Sequence, residues 1–365
     1  MMNKKPNIKN LNEKEFFELI QSQKQPGYRA EQIRTALFKQ KISDFEQISN
    51  IPKTFREYLN ENYEVNSLKL NKYRQSSDGS IKFLFDLHDG NSIESVYMPW
   101  YDNDDEEIVR ETLCISTMAG CSVNCAFCAT GKLGFKRNLD VAEIIDQIIE
   151  VERILNTKLS NIVMMGMGEP LLNYNNSIRA LEILTDPNYE MFSRKRITLS
   201  TSGIAPRIQQ FAKSPRPVKL AISLHATDNK TRDLIMPINK SFNLEILMDS
   251  IEYYYRTTKI PIMYEYILFD GINDTTDDVR RLTKIARRVP SRINIIPFND
   301  ISFTNPQGFP ATLKPANREK MEWFAGEIRS QGVPVIVRDT FGGDIEGACG
   351  QLALSDKIKI LNKIV

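Results

Sequence analysis

The segment Thr112-Leu113-Cys114-Ile115-Ser116-Thr117, followed closely by Cys121-Ser122-Val123-Asn124-Cys125-Ala126-Phe127-Cys128, decides how the rest of the chain reads. Its first half is a β-branched run suited to a buried strand, and its second half is a loop carrying three thiols. Similar short runs recur at 161–165, 196–201, 219–224, 263–268, 293–296 and 333–337, with helical periodicity between them, as at 141–155 and 177–184. Strands that alternate with helices argue for parallel βα units in an α/β fold. Six or seven such units predict a partial (βα)6 barrel, in which chemistry gathers at the C-terminal ends of the strands. The cysteine loop follows the first strand of the series and so falls at that end.

Upstream, helices are expected around 11–20, 29–39 and 51–63, separated by turn residues such as Pro26-Gly27 and Ser43-Asp44. They define a small N-terminal helical module, 1–65. Its basic residues Lys24, Arg29, Arg34, Lys39 and Lys41 read on their own as a solvated helix face. Residues 81–87 and 92–99 alternate as strands on either side of Asp89-Gly90, a hairpin signal. That β-hairpin extension occupies a linker, 66–107, ending in an acidic stretch from Asp102 to Glu107 that predicts an exposed loop. The barrel core spans 108–345, and the remainder, 346–365, holds the end of a glycine-rich loop and a terminal helix.

With 41% hydrophobic and 26% charged residues, the 365-residue chain excludes the disordered and collagen-like classes. No run of about 18 apolar residues predicts a membrane helix, and the N-terminus lacks the apolar centre of a signal peptide. Five cysteines are too few for a disulfide scaffold. The expectation is a cytoplasmic protein with no membrane partner, whose reduced cysteines act as ligands or reactants. Forty-eight Lys and Arg against 46 Asp and Glu give a net charge of +2. That falls short of a dedicated nucleic-acid binder, although local patches rather than net charge bind phosphate.

Three thiolates within eight residues can converge on one centre. Zinc would want a fourth ligand, yet the chain has only two histidines, His88 and His225, and no second cysteine pair. A cubane iron–sulfur cluster is satisfied by Cys121, Cys125 and Cys128, with one iron left open to a small molecule. A zinc-stabilised, non-catalytic RNA-binding protein is the competing reading.

The Cys121–Cys125–Cys128 spacing resembles the signature of radical S-adenosylmethionine (SAM) enzymes. The similarity extends through Thr130-Gly131-Lys132-Leu133-Gly134-Phe135-Lys136-Arg137-Asn138-Leu139, Gly166-Met167-Gly168-Glu169-Pro170-Leu171, Leu199-Ser200-Thr201-Ser202-Gly203, Ser223-Leu224-His225 and Ala348-Cys349-Gly350-Gln351-Leu352. With Gly27-Tyr28-Arg29-Ala30 near the start, this set resembles the RlmN/Cfr family of radical SAM RNA adenine methyltransferases over nearly the whole chain. The resemblance implies a radical SAM barrel, one 4Fe–4S cluster with an open iron, and two SAM molecules per turnover. The donor would be bound by Gly168, Glu169, Ser200, Ser223, Leu224, His225 and Asn299. Cys349 would take a methyl group from the first SAM. A 5′-deoxyadenosyl radical from the second would activate that methyl group, which adds to adenine. Glu94 would accept the ring proton, and Cys114 would attack Cys349 to release the product as a transient disulfide forms.

The implied substrates are 23S rRNA and transfer RNA, methylated at adenine C2, with an electron donor such as a flavodoxin and a monomeric enzyme. Pro170 matches the C2 branch rather than the C8-methylating, antibiotic-resistance branch. Met118 departs from the family, which usually has Gln there. Taken alone, several of these residues read plainly: Glu94 as a surface acid, Cys114 as a buried strand thiol, His225 as a structural histidine, Asn299 as a turn residue. The glycines beside Cys349 suggest a loop that can swing the thiol. Glu94 precedes the barrel, so its hairpin is expected to fold back over the mouth. Lys132, Lys136 and Arg137 beside the cysteine loop, together with the helical module, are the expected phosphate contacts.

Overall fold

The computed structural model describes residues 5–102 and 107–354. Most of the acidic stretch, and the terminal helix expected near the C-terminus, lie outside the described residues. The N-terminal module is three short helices: α1 (Glu13–Ser22), α2 (Arg29–Phe38) and α3 (Lys53–Asn62). Asn12 starts α1 with a reciprocal cap. Its side chain accepts from Glu15 N–H at 3.0 Å, while Glu15 accepts from Asn12 N–H at 2.6 Å. Phe16, Ile20, Ile33, Leu37, Phe55 and Leu59 pack between the helices and are fully or nearly fully buried. Beside them the buried Lys9 ammonium pairs with Asp146 and donates to Val65 C=O at 2.9 Å. Asp146 also accepts from Ser67 N–H and Oγ at 2.9 and 2.6 Å, so neither buried charge is left unsatisfied.

The main sheet has ten strands. Three antiparallel strands, β1 (Lys69–Gln75), β2 (Ile81–Asp86) and β3 (Ser92–Tyr101), lead into β4 (Ile108–Cys114). After β4 come a small ribbon of β5 (Met118–Gly120) and β6 (Phe135–Asn138), with the short α4 (Ala129–Lys132) between them. The chain then alternates: α5 (Val141–Leu155), β7 (Asn161–Met164), α6 (Tyr174–Leu184), β8 (Ile197–Thr201), α7 (Ala205–Ala212), β9 (Lys219–Ser223). Two helices, α8 (Asn229–Ile235) and α9 (Leu244–Thr258), precede β10 (Ile262–Leu268); α10 (Thr276–Ala286), β11 (Ser291–Pro297), α11 (Arg318–Ser330) and β12 (Val335–Val337) complete the series. Strands β4, β7, β8, β9, β10, β11 and β12 pair in that order, all parallel. The expected α/β barrel is therefore present, as six βα units followed by a three-residue seventh strand.

Two features differ from the sequence-based expectation. The expected hairpin is present as β2 and β3, paired from Ile81↔Tyr97 to Asp86↔Ser92, but it does not fold back over the mouth. Together with β1 it extends the barrel sheet in its own plane, with β3 paired to β4 from Val96↔Cys114 to Trp100↔Arg110. An unpaired β4 would leave a row of open N–H and C=O groups, and β3 satisfies it. Alternation along β3 then carries Val96, Met98 and Trp100 into the barrel wall. The second difference is how the open flank between β12 and β1 is closed. The stretch after β12 crosses to the other edge of the sheet, where Asp344 accepts from Ser76 Oγ and Ser77 N–H at 2.5 and 3.1 Å. Gly342 N–H donates to Asp78 at 2.7 Å, Lys82 Nζ to Glu346 C=O at 3.1 Å, and Phe341 packs on Trp100 with ring centroids 4.8 Å apart.

Candidate functional site

The three-cysteine loop hangs from the β5–β6 ribbon. Gly120 has φ +75°, and a Cβ there would lie 1.8 Å from Gly134 O, so only glycine lets the ribbon close. Cys121 N–H donates to Gly134 C=O at 3.2 Å, Cys128 N–H to Cys125 C=O at 3.2 Å, and Ala126 N–H to Ile235 C=O at 2.9 Å. These bonds fix the loop against α8. Phe127 stands edge-on to His225, with centroids 4.8 Å apart. All five cysteines are free thiols.

The loop's thiols lie within electrostatic reach of one another. Burial pushes the Cys121 thiol up to about 12, and Cys128 and Glu169 push the same way against two backbone N–H groups. Cys125 is raised well above its ordinary value by burial, then by Cys128 and Cys121. Thiolates collected here without a cation repel one another, so the loop suits a positively charged inorganic partner. Among the described residues, no three His, Cys, Asp or Glu groups converge as donors to one metal ion. A single tetrahedral zinc with ~2.3 Å bonds needs its sulfurs nearly in contact, whereas a cubane takes each thiolate at a different iron. The donor set therefore fits the cluster better than zinc.

Beyond β7, Gly168 has φ +104°, and a Cβ would meet Met118 at 2.6 Å. Met118 thus packs under the glycine turn, and its Sδ lies 3.5 Å from Glu169 N. The Glu169 carboxylate is buried and already engaged: Oε1 accepts from Leu171 N–H at 3.0 Å, and Oε2 from Ser202 N–H and Oγ at 2.6 and 2.7 Å. Ser202, rather than Ser200, ties the end of β8 to this acid. His225 sits at φ +53°, and its Nδ1 accepts from Ile267 N–H at 3.0 Å. Burial, reinforced by Arg232, lowers its pKa to about 3, so the ring is neutral with its proton on Nε2. Arg232 is fully buried and binds the ends of two strands: it donates to Ser202, Ser223 and Leu224 C=O at 2.7, 3.2 and 3.1 Å, and to Asn239 Oδ1 at 3.0 Å. Burial draws its pKa down to about 10, while the neighbouring Cys125 pulls the other way.

A cavity of about 340 Å³ runs down the barrel, and Cys114, Cys128, Cys349 and Asn299 all line it. Gly168, Glu169, Ser200, Ser223, Leu224 and His225 stand at the strand ends outside that wall. The Cys349 segment is stitched to the cysteine loop, with Ala129 N–H donating to Gly350 C=O at 2.7 Å and Thr130 Oγ1 to Leu352 C=O at 2.5 Å. Asn299 Nδ2 donates to Cys349 C=O at 3.0 Å. Burial raises the Cys114 thiol, whereas Cys349 is exposed to the cavity, and each lies within the electrostatic reach of another cavity thiol. Glu94 is 1% exposed and 3.4 Å from Lys82 Nζ, and it accepts from Leu354 N–H at 3.1 Å. Its backbone N–H faces Met167 Sδ at 3.3 Å, which places it beside the β7 turn.

Sequence reading missed the opposite end. Arg110, Arg196, Lys219 and Arg292 line the cavity where the strands begin, with Arg338 further along the wall. No two of them share a motif, and only the sheet brings them together. Conversely, Arg137, expected near RNA, is held by Glu143 Oε1 and Oε2 at 2.7 Å each and by Asp89. In the helical module, Lys39 pairs with Glu190 at 2.8 Å, Lys41 with Glu152, and Arg34 with Glu13 at 3.4 Å, so these basic residues are not a bare solvated face.

A parallel-strand barrel with a Cys-x3-Cys-x2-Cys loop at its C-terminal mouth defines a radical SAM protein, and residues 115–283 match the family model described as the radical SAM superfamily. Residues 6–65 match a second model, the ribosomal RNA large subunit methyltransferase N-terminal domain. The chain is 40% identical over 353 residues to the dual-specificity RNA methyltransferase RlmN of Desulfosudis oleivorans, covering 96% of this chain and 91% of that protein. It is 40% identical over 351 residues to the probable RlmN of a Thermotoga species, covering 95% and 98%. A crystal structure of a radical SAM methyltransferase from Sphaerobacter thermophilus superposes with a TM-score of 0.85 at 35% identity, covering 95% of this chain and 99% of that one. The chain belongs to the RlmN family.

Proposed function

We propose that this protein is a SAM-dependent RNA methyltransferase that adds a methyl group to C2 of adenine in 23S rRNA and transfer RNA through a methylated cysteine. One observation carries the reading: Cys349 lines the same cavity as Cys114 and the loop cysteine Cys128. When bound, the 4Fe–4S cluster and SAM supply a methyl group and a carbon-centred radical, with two SAM molecules consumed per turnover. Cys121, Cys125 and Cys128 hold the cluster. Gly168, Glu169, Ser200, Ser223, Leu224, His225 and Asn299 would hold the donor when it is bound.

The remaining steps belong to the chain's own residues. Cys349 Sγ carries the methyl group into the barrel, its segment positioned by the bonds from Asn299, Ala129 and Thr130. Glu94, salt-bridged to Lys82, accepts the proton from the adenine ring. Once the adduct has given up its unpaired electron to the electron-transfer chain and its ring proton to Glu94, Cys114 Sγ attacks Cys349 Sγ; the C–S bond breaks with its electron pair on the methylene carbon, which takes up the proton that Cys114 sheds and becomes the methyl group. The resulting disulfide is reduced before the next cycle. Electrons come from a flavodoxin-like donor, and the enzyme acts as a cytoplasmic monomer; among the described residues, no helix is long and apolar enough to cross a membrane. The names of the relatives and Pro170 support C2 over C8.

The test is Cys349→Ala. Full loss of 2-methyladenosine in treated RNA, by mass spectrometry, with wild-type iron and sulfide content, is expected. Wild-type methylation by that variant would end the methyl-cysteine route.

A further inference from the structure

The barrel cavity has two ends of different character. At the cluster end, residues 348–352 are bonded to α4 and its cap. The strand-start end carries cations. Outside it lies a second cavity of about 660 Å³, whose wall includes Arg194, Lys195 and Lys259 and shares Lys219, Met263 and Arg292 with the inner one. The two spaces are neighbours at the strand-start end, with these three side chains as their common wall. Together their walls present eight Lys and Arg side chains and a single carboxylate, Asp339, which is paired with Arg318 at 3.0 Å. In a chain of net charge +2, that is a strong local excess.

None of the eight forms an ion pair with a carboxylate among the described residues. Their side-chain contacts are neutral: Arg196 Nη1 reaches Asn161 Oδ1 at 3.3 Å, Arg292 Nη2 faces Met263 Sδ at 2.8 Å, and Arg110 stacks on Trp100 at 4.0 Å with its buried Nε unbonded. Arg110 is pushed down by burial and then by Arg338, Arg196 and Arg292; Lys219 is pushed down by burial and then by Arg292, Arg196 and Arg110. One buried carboxylate, Glu265, feels Arg338 and Arg292 from inside the barrel and is bonded to Asn294; eight cations around that single interior acid, repelling one another, are poised for an external polyanion.

We propose that the strand-start end of the barrel is the RNA-docking mouth, where Arg110, Arg196, Lys219 and Arg292 hold phosphodiester groups and the target adenine enters from the end opposite the cysteine loop. This rests on the RNA methyltransferase reading and names the face of the molecule that the RNA occupies. Arg110 and Cys114 are four residues apart on β4, about 13 Å of strand, so phosphates held at the mouth leave the extruded base to span the barrel interior. Such contacts position RNA without reading its sequence, which suits an enzyme that accepts two kinds of RNA.

The experiment measures the affinity of the full-length holoenzyme for a fluorescent RNA hairpin over a range of salt concentrations. Each phosphate contact contributes roughly 0.7–0.9 to the slope of log Kd against log salt. The triple variant Arg196→Gln, Lys219→Gln, Arg292→Gln is expected to lower that slope by about 2–3, and Arg196→Gln alone by just under 1. Lys132→Gln with Lys136→Gln, at the cluster end, is expected to leave it nearly unchanged. A wild-type slope in folded mouth variants, or a loss that follows the Lys132 and Lys136 pair instead, overturns the proposal. Methylation of the hairpin by wild-type enzyme is read separately. Its absence with a mouth-dependent slope would sink the catalytic reading and leave the docking face standing.

Discussion

Both ends of the barrel take an arginine out of water, Arg232 wholly and Arg110 in part, and the two are built in opposite ways. At the cluster end, Arg232 spends its guanidinium on Ser202, Ser223 and Leu224 carbonyls and the Asn239 amide, and it is completely enclosed. At the strand-start end, Arg110 stacks on Trp100 and otherwise faces other cations. A satisfied buried charge holds two strand ends in register and serves the fold. An unsatisfied one costs stability and is retained where a ligand completes it.

The largest test of this contrast is Arg232→Met. Three carbonyls and an amide would lose their donor together, and we expect about 3 kcal/mol of destabilisation by urea titration. A loss below about 0.5 kcal/mol would break the contrast, since Arg232 would then be no better satisfied than Arg110. The next effect concerns the neighbouring His225. Its folded pKa of about 3 lies below the ordinary histidine value of 6.5, so the unfolded chain binds the proton first as pH falls. Stability is therefore full above about pH 6.5 and is lost below it, by about 2 kcal/mol at pH 5 at 1.36 kcal/mol per unit. His225→Gln should flatten that acid limb; an unchanged limb would mean that the histidine is not held neutral. The smallest effect has the opposite sign. Lys219→Met removes one member of a repelling group and should stabilise the protein by about 0.5 kcal/mol while weakening RNA binding. Destabilisation would show that the mouth cations are paired after all.

The two ends also differ in how much of them the sequence discloses. The cluster end is written locally: three thiols within eight residues, glycines where the ribbon must close, and a β-branched strand just before them. Gly120 is a clear case, because the backbone clash it avoids comes from Gly134, fourteen residues on and just before the partner strand of the same ribbon. The strand-start end is written in single residues that the sheet assembles, Arg110 from β4, Lys219 from β9 and Arg292 from β11. Each looks like an ordinary basic residue at a strand edge. Only inward alternation and closure of the sheet make them neighbours. Arg232 is equally hidden, because it belongs to no motif and only the packing of α8 on the strand ends encloses it. Glu94 falls between the two cases. Its family motif pointed to the residue, yet its position depends on β3 continuing the barrel sheet, which turn chemistry alone does not disclose.

The crossing after β12 has a consequence for how this chain can vary. Asp344 and Gly342 anchor it to the β1–β2 turn, and Asn299 and Ala129 anchor its far end at Cys349 and Gly350. With both ends tethered, its length is set by the gap it spans. An insertion or deletion between Arg338 and Ala348 would move the barrel's side wall and the reactive sulfur together, so the stretch should tolerate exchange of side chains far better than any change in residue number.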